Sequence, residues 1–443
     1  MKAIEFLRGK AFWLMDKRNG SNVRKYLELL NDIEGKSIYS EQELCEYHRT
    51  KICELLNHCV ETVPAYSNQN PDSLTDWPIV NKITLKNGGE KFFSTSYNRT
   101  NLIPMTTSGS TGTPFTCWQN PEKKRRVNAE VLFYNGRIGY EIGRKIIYFR
   151  SVASEVRKST LQQFMQNINL IDCTDLSDTD IRHKLAQIKK LSKNDGAMIL
   201  SYASTLDAFC KYFEKYGVSE ANGCNIYGVV SGSEMLKDTT RKMISQAFNC
   251  KVISRYANEE NGFIGQDGIE NNVFIHNRAN YFIEILKLDT DTPVEPNEVG
   301  RIVITDLYNY AMPMVRYDTG DVGAWQEIKV NGIMRKAIGQ FGGRRIDMIY
   351  DSSGNIISPH AITNYMWQYE RVVKQFQFLQ FDYGIYRLRL NCAEECDAQR
   401  VLNGLYQIVG NDAKIEVELC DEIPVLASGK RRYIVNNMNS NSK

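Results

Sequence analysis

Apolar residues recur at helical spacing through the first 66 positions, with polar breaks near Asn19–Asn22 and Gly35–Lys36, so this stretch is read as helical. Pro64 closes it, because proline cannot continue a helix. At the start, Ile4, Leu7, Ala11, Leu14 and Met15 share one helical face, ringed by Lys2, Arg8, Lys10, Lys17 and Arg18. That helix is read as docked on its own domain with the basic face solvated; the alternative is a membrane-surface helix.

From about residue 144 the pattern changes to short β-rich runs alternating with helices. RKIIYFR is followed by AMILSYA into TLDAFCKYFEKYG, then NIYGVVSG into a helix over 237–247, then KVISRY. Such alternation predicts parallel βαβ units in an open α/β sheet. Between about 272 and 330 the period becomes strand-like, with turns at PNEVG and YDTGD. A glycine-containing breaker, GQFGGRR at 339–345, then precedes about a hundred residues that read as strand, helix, two strands, helix, strand. The expected architecture is a large α/β N-terminal domain with mixed sheets over 1–343 and a small α+β C-terminal domain over 344–443. The polar tail after Tyr433 is expected to fray.

Composition narrows the class. The chain has 443 residues, a net charge of +3, 24% charged and 42% hydrophobic residues, which suits a multi-domain globular protein. A disulfide-stapled module, a disordered chain and a nucleic-acid-adapted charge balance are excluded. The eleven cysteines are scattered without a CxxC pair, so a reducing cytoplasm is the expected location. The charge-broken opening residues lead us to expect no secretory leader, and no apolar run in the sequence is long enough to span a membrane.

Several local motifs have the composition of a nucleotide site. Thr106-Thr107-Ser108-Gly109-Ser110-Thr111-Gly112-Thr113-Pro114 concentrates hydroxyls and glycines in one loop, where backbone N–H groups and hydroxyls can donate to phosphate oxygens. It is not a GxxxxGK[ST] loop, and a surface Ser/Thr/Gly loop has the same wording. In Ser231-Gly232-Ser233-Glu234 and in Tyr256-Ala257-Asn258-Glu259-Glu260, predicted strands end in polar groups, where open α/β sheets bind ligands. Tyr256 can stack on a base and a glutamate can hold Mg²⁺ on phosphates, although acidic loop residues are usually only solubilising. Asp321, in Tyr317-Asp318-Thr319-Gly320-Asp321, can grip a vicinal diol or serve as a turn former; Gly343-Arg344 allows a similar pair of readings. Ser428-Gly429-Lys430, read alone, is the wording of a solvated turn. The five histidines have no metal-ligand spacing and no GxSxG accompanies them, so metallohydrolase and serine-hydrolase chemistry are set aside. His276 is expected to be a satisfied core or pocket residue.

The joint order of these motifs resembles that of the adenylate-forming superfamily of acyl-CoA synthetases and adenylation domains, most closely the phenylacetate-CoA ligase-like branch with its capsular-polysaccharide-type members. The resemblance spans 107–431 and implies a mobile C-terminal domain. It implies that Thr107, Ser108, Gly109, Ser110, Thr111 and Gly112 cradle the pyrophosphate part of ATP, that Ser233 and Glu234 border adenine and that Tyr256 stacks near it. Glu260 would bind Mg²⁺ and act in catalysis, Asp321 and Arg344 would hold the ribose hydroxyls, and Lys430 would be the catalytic cation between carboxylate and α-phosphorus.

The implied reaction is attack of a carboxylate on the α-phosphorus with loss of pyrophosphate, then transfer of the acyl group from acyl-AMP to coenzyme A. Catalysis of such a displacement is alignment plus charge neutralisation. An amine acceptor in polysaccharide or conjugate biosynthesis is the first alternative and a non-catalytic nucleotide-binding homologue the second. Two positions depart from the family pattern: Glu259 stands where threonine is usual, and Ile346 occupies the hinge position, with Asp347 next. The acyl pocket is expected between the strand ends near 201–205 and 228–232 and a helix over about 126–140.

Overall fold

The computed structural model describes residues 3–36, 39–107, 115–150, 160–173, 175–344, 349–354, 356–357, 359–369, 372–392, 397–423 and 433–438. The N-terminal stretch forms helices α1 (Ala3–Arg18), α2 (Asn22–Leu30) and α3 (Glu41–Thr62), and Pro64 opens a single 3₁₀ turn. The short strand β1 (Val80–Asn81) leads into α4 (Lys82–Gly88), and β2 (Ile103–Thr107) pairs antiparallel with β3 (Phe115–Gln119) before α5 (Pro121–Gly136).

The α/β pattern then unfolds as β4 (Ile146–Phe149), α6 (Thr160–Gln166), β5 (Ile168–Ile171), α7 (Asp178–Ser192), β6 (Ala197–Tyr202), α8 (Ala203–Tyr216), β7 (Ile226–Gly232), α9 (Asp238–Phe248) and β8 (Lys251–Asn258). Strands β9 (Gly262–Gln266) and β10 (Ile275–His276) complete a seven-stranded sheet in the order β10-β9-β8-β7-β6-β4-β5. Strands β4 to β8 pair in parallel, as the alternation predicted, and β9 and β10 add antiparallel pairs. Alternate residues serve opposite faces. Ile199, Val229 and Val252 pack under α7, α8 and α9, whereas Met198, Val230 and Ile253 meet Ile138 and Tyr140 on the other face. Burial on both faces explains the nearly unbroken apolar wording of these strands.

The 272–330 region forms β11 (Tyr281–Leu286), β12 (Gly300–Asp306), β13 (Tyr317–Val330) and β14 (Ile333–Arg344). They make a second sheet in the order β1-β13-β12-β11, with β14 on β13. The remaining elements are the hairpin β15 (Ile349–Tyr350) and β16 (Ile356–Ile357), α10 (Pro359–Trp367), β17 (Val373–Asp382), β18 (Ile385–Cys392), α11 (Ala398–Val409), β19 (Lys414–Leu419) and β20 (Ile434–Asn436). A sheet in the order β19-β18-β17-β20 packs Phe376, Phe378, Leu388 and Leu390 against Ile362 and Met366 of α10 and Val401 and Leu405 of α11. The chain divides into two compact units, one of residues 1–284, 303–318 and 327–337, the other of residues 285–302, 319–326 and 338–443.

Four expectations need correction. YDTGD is not a turn between strands but the start of β13, and GQFGGR is not a breaker but the end of β14. The polar tail does not begin at Tyr433: Ile434 is buried and Ile434–Asn436 pairs in parallel with Phe378–Gln380. In α1 the apolar face is not the docked one. The helix seats itself by Glu5, Gly9 and Asp16, with Phe12 and Trp13 half-buried, and leaves Ile4, Leu7, Leu14 and Met15 exposed. The cause is non-local. A side chain at Gly9 would stand 3.0 Å from the Ile142 carbonyl oxygen, so the helix backbone lies directly on that segment.

Candidate functional site

The centre of the candidate site is a three-residue hairpin loop, Glu259-Glu260-Asn261, between β8 and β9. The Asn258 side chain closes the turn, its Oδ1 accepting from the Asn261 N–H at 2.7 Å. Outside the loop, Gln119 Nε2 at the end of β3 donates to the Glu260 carbonyl at 3.3 Å, and the Tyr281 hydroxyl donates to the Asn261 carbonyl at 2.6 Å. Gly262 follows with φ +113, where a side chain would meet Glu130 and Val127 at 2.9 Å. The backbone of Glu260 is therefore fixed from three sides.

Its carboxyl is almost entirely buried, and Tyr317 Oη donates to Oε1 over a long 3.3 Å. Burial pushes the Glu260 carboxyl above its ordinary range and the neighbouring Glu259 adds to this, while a backbone hydrogen bond, the Lys82 charge and the Tyr317 bond pull it down. Lys82 opens α4, with Nζ 5.9 Å from the centre of the Phe115 ring. Phe115 also pairs with Thr107 across the β2–β3 hairpin, and the hydroxyls of Thr106 and Thr116 stand 2.9 Å apart. The ends of the Ser/Thr/Gly loop are thus drawn together by the same hairpin whose Gln119 holds the Glu260 backbone.

Beneath the loop lies a buried polar network that the sequence analysis did not single out. Glu130 of α5, fully buried, accepts from Asn277 at 3.1 Å and Asn280 at 2.7 Å on one oxygen, which also lies 3.1 Å from the Tyr281 hydroxyl, and from the Phe263 N–H at 3.0 Å on the other. Lys123, also fully buried, lies 2.8 Å from Asp306 and donates to Tyr281 at 2.9 Å. A signal existed: Glu130 shares a helix face with Ala129, Phe133 and Tyr134, and a lone carboxylate on an apolar face requires internal donors.

At the adjoining strand ends, Ser231 of β7 pairs with Ser254 of β8, so Ser233 and Tyr256 stand two residues further on along neighbouring strands. Ser233 adopts φ +67, a left-handed conformation uncommon outside glycine. Ser231 Oγ is buried and has no hydrogen-bond partner among the described residues. Glu234 Oε2 accepts from the Ser204 N–H at 2.7 Å and so caps α8, whose own N-cap residue makes no side-chain bond. Tyr256 is buried, edge-on to Phe274 with ring centres 6.2 Å apart. His276 is also buried, and burial holds it well below its ordinary range.

Asp321 stands four residues beyond Tyr317 along β13, half-buried, its N–H donating to Thr319 Oγ1 at 3.1 Å. The strand is anchored by Arg316, which makes a bidentate pair with Glu284 at 3.0 and 3.1 Å and donates to the Thr75 and Trp77 carbonyls. Thr107 and Arg344 are the last residues of β2 and β14. Ser108, Gly109, Ser110, Thr111, Gly112, Ile346, Asp347 and Lys430 lie outside the described residues. Part of the expected acyl pocket is filled. Ile138 packs onto Gly228 and joins Leu132 and Tyr140 over Met198 and Val230, so the space beside residue 228 is core.

The donor set suits Mg²⁺ held on phosphates. Among the described residues no cluster of three or more His, Cys, Asp or Glu side chains is arranged for a metal, whereas one sparsely bonded carboxyl at Glu260 fits an ion that takes its other ligands from substrate and water.

Comparison with known proteins gives a consistent result. The family model described as the CapK C-terminal domain matches residues 349–437. The chain is 22% identical over 377 residues to Protein CapK of Staphylococcus aureus, covering 83% of this chain and 81% of that protein. It is 28% identical over 183 residues to a phenylacetate-coenzyme A ligase of Thermus thermophilus, covering 40% of each. A crystal structure of 2-hydroxyisobutyryl-CoA ligase, in the postadenylation state in complex with R3-HIB-AMP, shares the fold with a TM-score of 0.67 at 13% identity, over 89% of this chain and 90% of that one.

Proposed function

We propose, from the premise that this chain is a member of the adenylate-forming superfamily, that it activates a small-molecule carboxylic acid with ATP and then passes the acyl group to coenzyme A. The observation that carries the reading is Glu260, a buried carboxyl at a strand end, with one long side-chain hydrogen bond and a backbone clamped by Gln119, Tyr281 and Asn258. Such a group is costly to bury unless a cation completes it.

In this reading Glu260 holds Mg²⁺, which when bound neutralises charge on the phosphates. Residues 107–112 cradle the pyrophosphate part of ATP, Ser233, Glu234 and Tyr256 border the base, and Asp321 and Arg344 hold the ribose hydroxyls. A carboxylate oxygen of the substrate forms a bond to the α-phosphorus while the bond to the bridging oxygen breaks and pyrophosphate leaves. Lys430, on a C-terminal domain beginning near residue 344, neutralises charge between the carboxylate and the α-phosphoryl group. In the second step the thiol sulfur attacks the acyl carbon, AMP leaves with the bonding pair, and the thiol proton passes to solvent. A mobile C-terminal domain lets the lysine withdraw before the second nucleophile enters. The reaction is assigned to the cytoplasm. The match to the CapK C-terminal domain favours one second reading, transfer to an amine acceptor in polysaccharide or conjugate biosynthesis.

The test is pyrophosphate release from Mg-ATP over a broad panel of acids, with hydroxylamine as a trap and with or without coenzyme A. Release with hydroxamate for one acid identifies the substrate, and stimulation by coenzyme A identifies the acceptor. Lys430→Ala lowers adenylate formation by about 10²-fold or more while ATP still binds. Equal turnover in the variant overturns the role of Lys430, and silence across the panel with ATP bound moves the chain to an acid outside the panel or to a non-catalytic nucleotide-binding role.

A further inference from the structure

Helices α1 and α6 carry eight of the seventeen large apolar side chains that are exposed among the described residues. They are Ile4, Phe6, Leu7, Leu14 and Met15 on α1 and Leu161, Phe164 and Met165 on α6; Leu7 is 61% exposed and Phe164 65%. The two helices form one surface. The Arg8 guanidinium lies 4.7 Å from the Phe164 ring centre, and Asn167, directly after α6, donates to Glu5 at 3.3 Å and to the Gly143 carbonyl at 2.9 Å. Scattered exposed apolar residues need no explanation, but a concentration of this kind marks an interaction site.

Helix α1 turns its two acids inward: Glu5 is buried beside Asn167, and Asp16 caps α2 by accepting from the Val23 and Arg24 N–H groups at 2.9 and 3.1 Å. What α1 presents outward is apolar side chains together with Lys10, Lys17 and Arg18, with Arg8 half-buried at the edge and no carboxylate. Helix α6 has no charged residue.

We propose that the α1–α6 surface docks on an anionic phospholipid bilayer, its apolar side chains entering the headgroup boundary and its cations meeting lipid phosphates. Charge complementarity selects this occupant. Pairing with a second copy across a two-fold axis would bring Lys10, Lys17 and Arg18 against cations of the same helix, with no exposed acid on α1 or α6 to offset them. No helix among the described residues is long and apolar enough to cross a membrane, so the attachment is to the surface. It does not depend on the chemistry proposed above.

Flotation of the full chain with vesicles of pure phosphatidylglycerol and of pure phosphatidylcholine tests the docking. The chain is expected to float with phosphatidylglycerol, at least about tenfold less with phosphatidylcholine, and less as salt is raised. Leu7→Glu/Leu14→Glu/Phe164→Glu is expected to cut the bound fraction about tenfold or more, with melting temperature and any pyrophosphate release unchanged. Because that variant alters three positions, Lys10→Glu/Lys17→Glu provides an independent arm, expected to lose binding to phosphatidylglycerol. A full chain that ignores phosphatidylglycerol vesicles overturns the proposal, and so does a folded triple variant that floats like the parent. A concentration-dependent dimer that the triple variant abolishes, without vesicle binding, assigns the surface to a second copy instead.

Discussion

Two buried glutamates in the same unit have opposite surroundings. Glu130 receives hydrogen bonds from two side-chain amides and one backbone N–H, lies beside the Tyr281 hydroxyl, and has its burial offset by the Lys123 charge. Glu260 receives one long side-chain bond from Tyr317, and its stronger restraints act on its backbone rather than its carboxyl. Burial raises the proton affinity of both. The difference teaches that the first is an internal strut whose valences are spent within the fold, whereas the second is positioned with capacity left over. A carboxyl held in place mainly through its backbone is suited to a ligand that arrives later.

Breaking the strut should have the largest effect. Glu130→Ala strips partners from Asn277, Asn280, Tyr281 and the Phe263 N–H at once and leaves the buried Lys123 and Asp306 without their neighbour. The expected loss is about 3–5 kcal/mol of stability, as for removal of one member of a buried charge network. Urea unfolding of the variant measures it, and a loss below about 1 kcal/mol would refute the assignment of Glu130 as a strut.

Glu260→Gln should separate stability from function. Pyrophosphate release is expected to fall by about 10²-fold, while stability changes by no more than about 1 kcal/mol. The pH dependence has a definite sign. A carboxyl whose folded-state pKa is raised contributes stability that is present at low pH and lost as pH rises through the raised value. Glutamine has no such loss, so the variant should match the parent near pH 4 and be equal or more stable at pH 8. Melting curves at both pH values decide this; a variant markedly less stable at pH 8 would make Glu260 a second strut.

How much of this was legible in the sequence depends on the range of the interactions. Short, nearly unbroken apolar runs located β6, β7 and β8, because burial on both sheet faces is written into each strand locally. The motif order singled out Glu260 and contained Asn258 and Tyr317 without their roles in its support, and held nothing of residues 119 and 281. Lys123, Glu130, Tyr281 and Asp306 lie far apart in the sequence and meet only once the sheets have formed. Helix α1 is the sharpest case. Its periodicity identified the apolar stripe, but Gly9 resting on Ile142, Asp16 capping α2 and Asn167 meeting Glu5 decided which stripe faces inward. None of those partners is within the helix.

The smallest expected effect extends the comparison from buried acids to a buried base. His276 lies in β10 beside Arg278, Arg335, Lys336 and His48, and burial first, then those cations, hold it neutral well below its ordinary value of 6.5. His48, whose Nε2 lies 2.7 Å from the Arg278 carbonyl oxygen, is lowered in the same way, chiefly by burial. A histidine whose folded-state pKa is depressed costs stability as pH falls through 6.5, because only the unfolded chain then takes the proton. Stability should therefore decline from pH 7 to pH 5.5, by about 1 kcal/mol for each such histidine at the lower value. His276→Gln should lessen that decline by about 1 kcal/mol relative to the parent, whatever its effect at pH 7. Equal pH slopes in parent and variant would show that His276 takes up its proton in the folded chain as readily as in the unfolded one, and would refute its assignment as a buried neutral base.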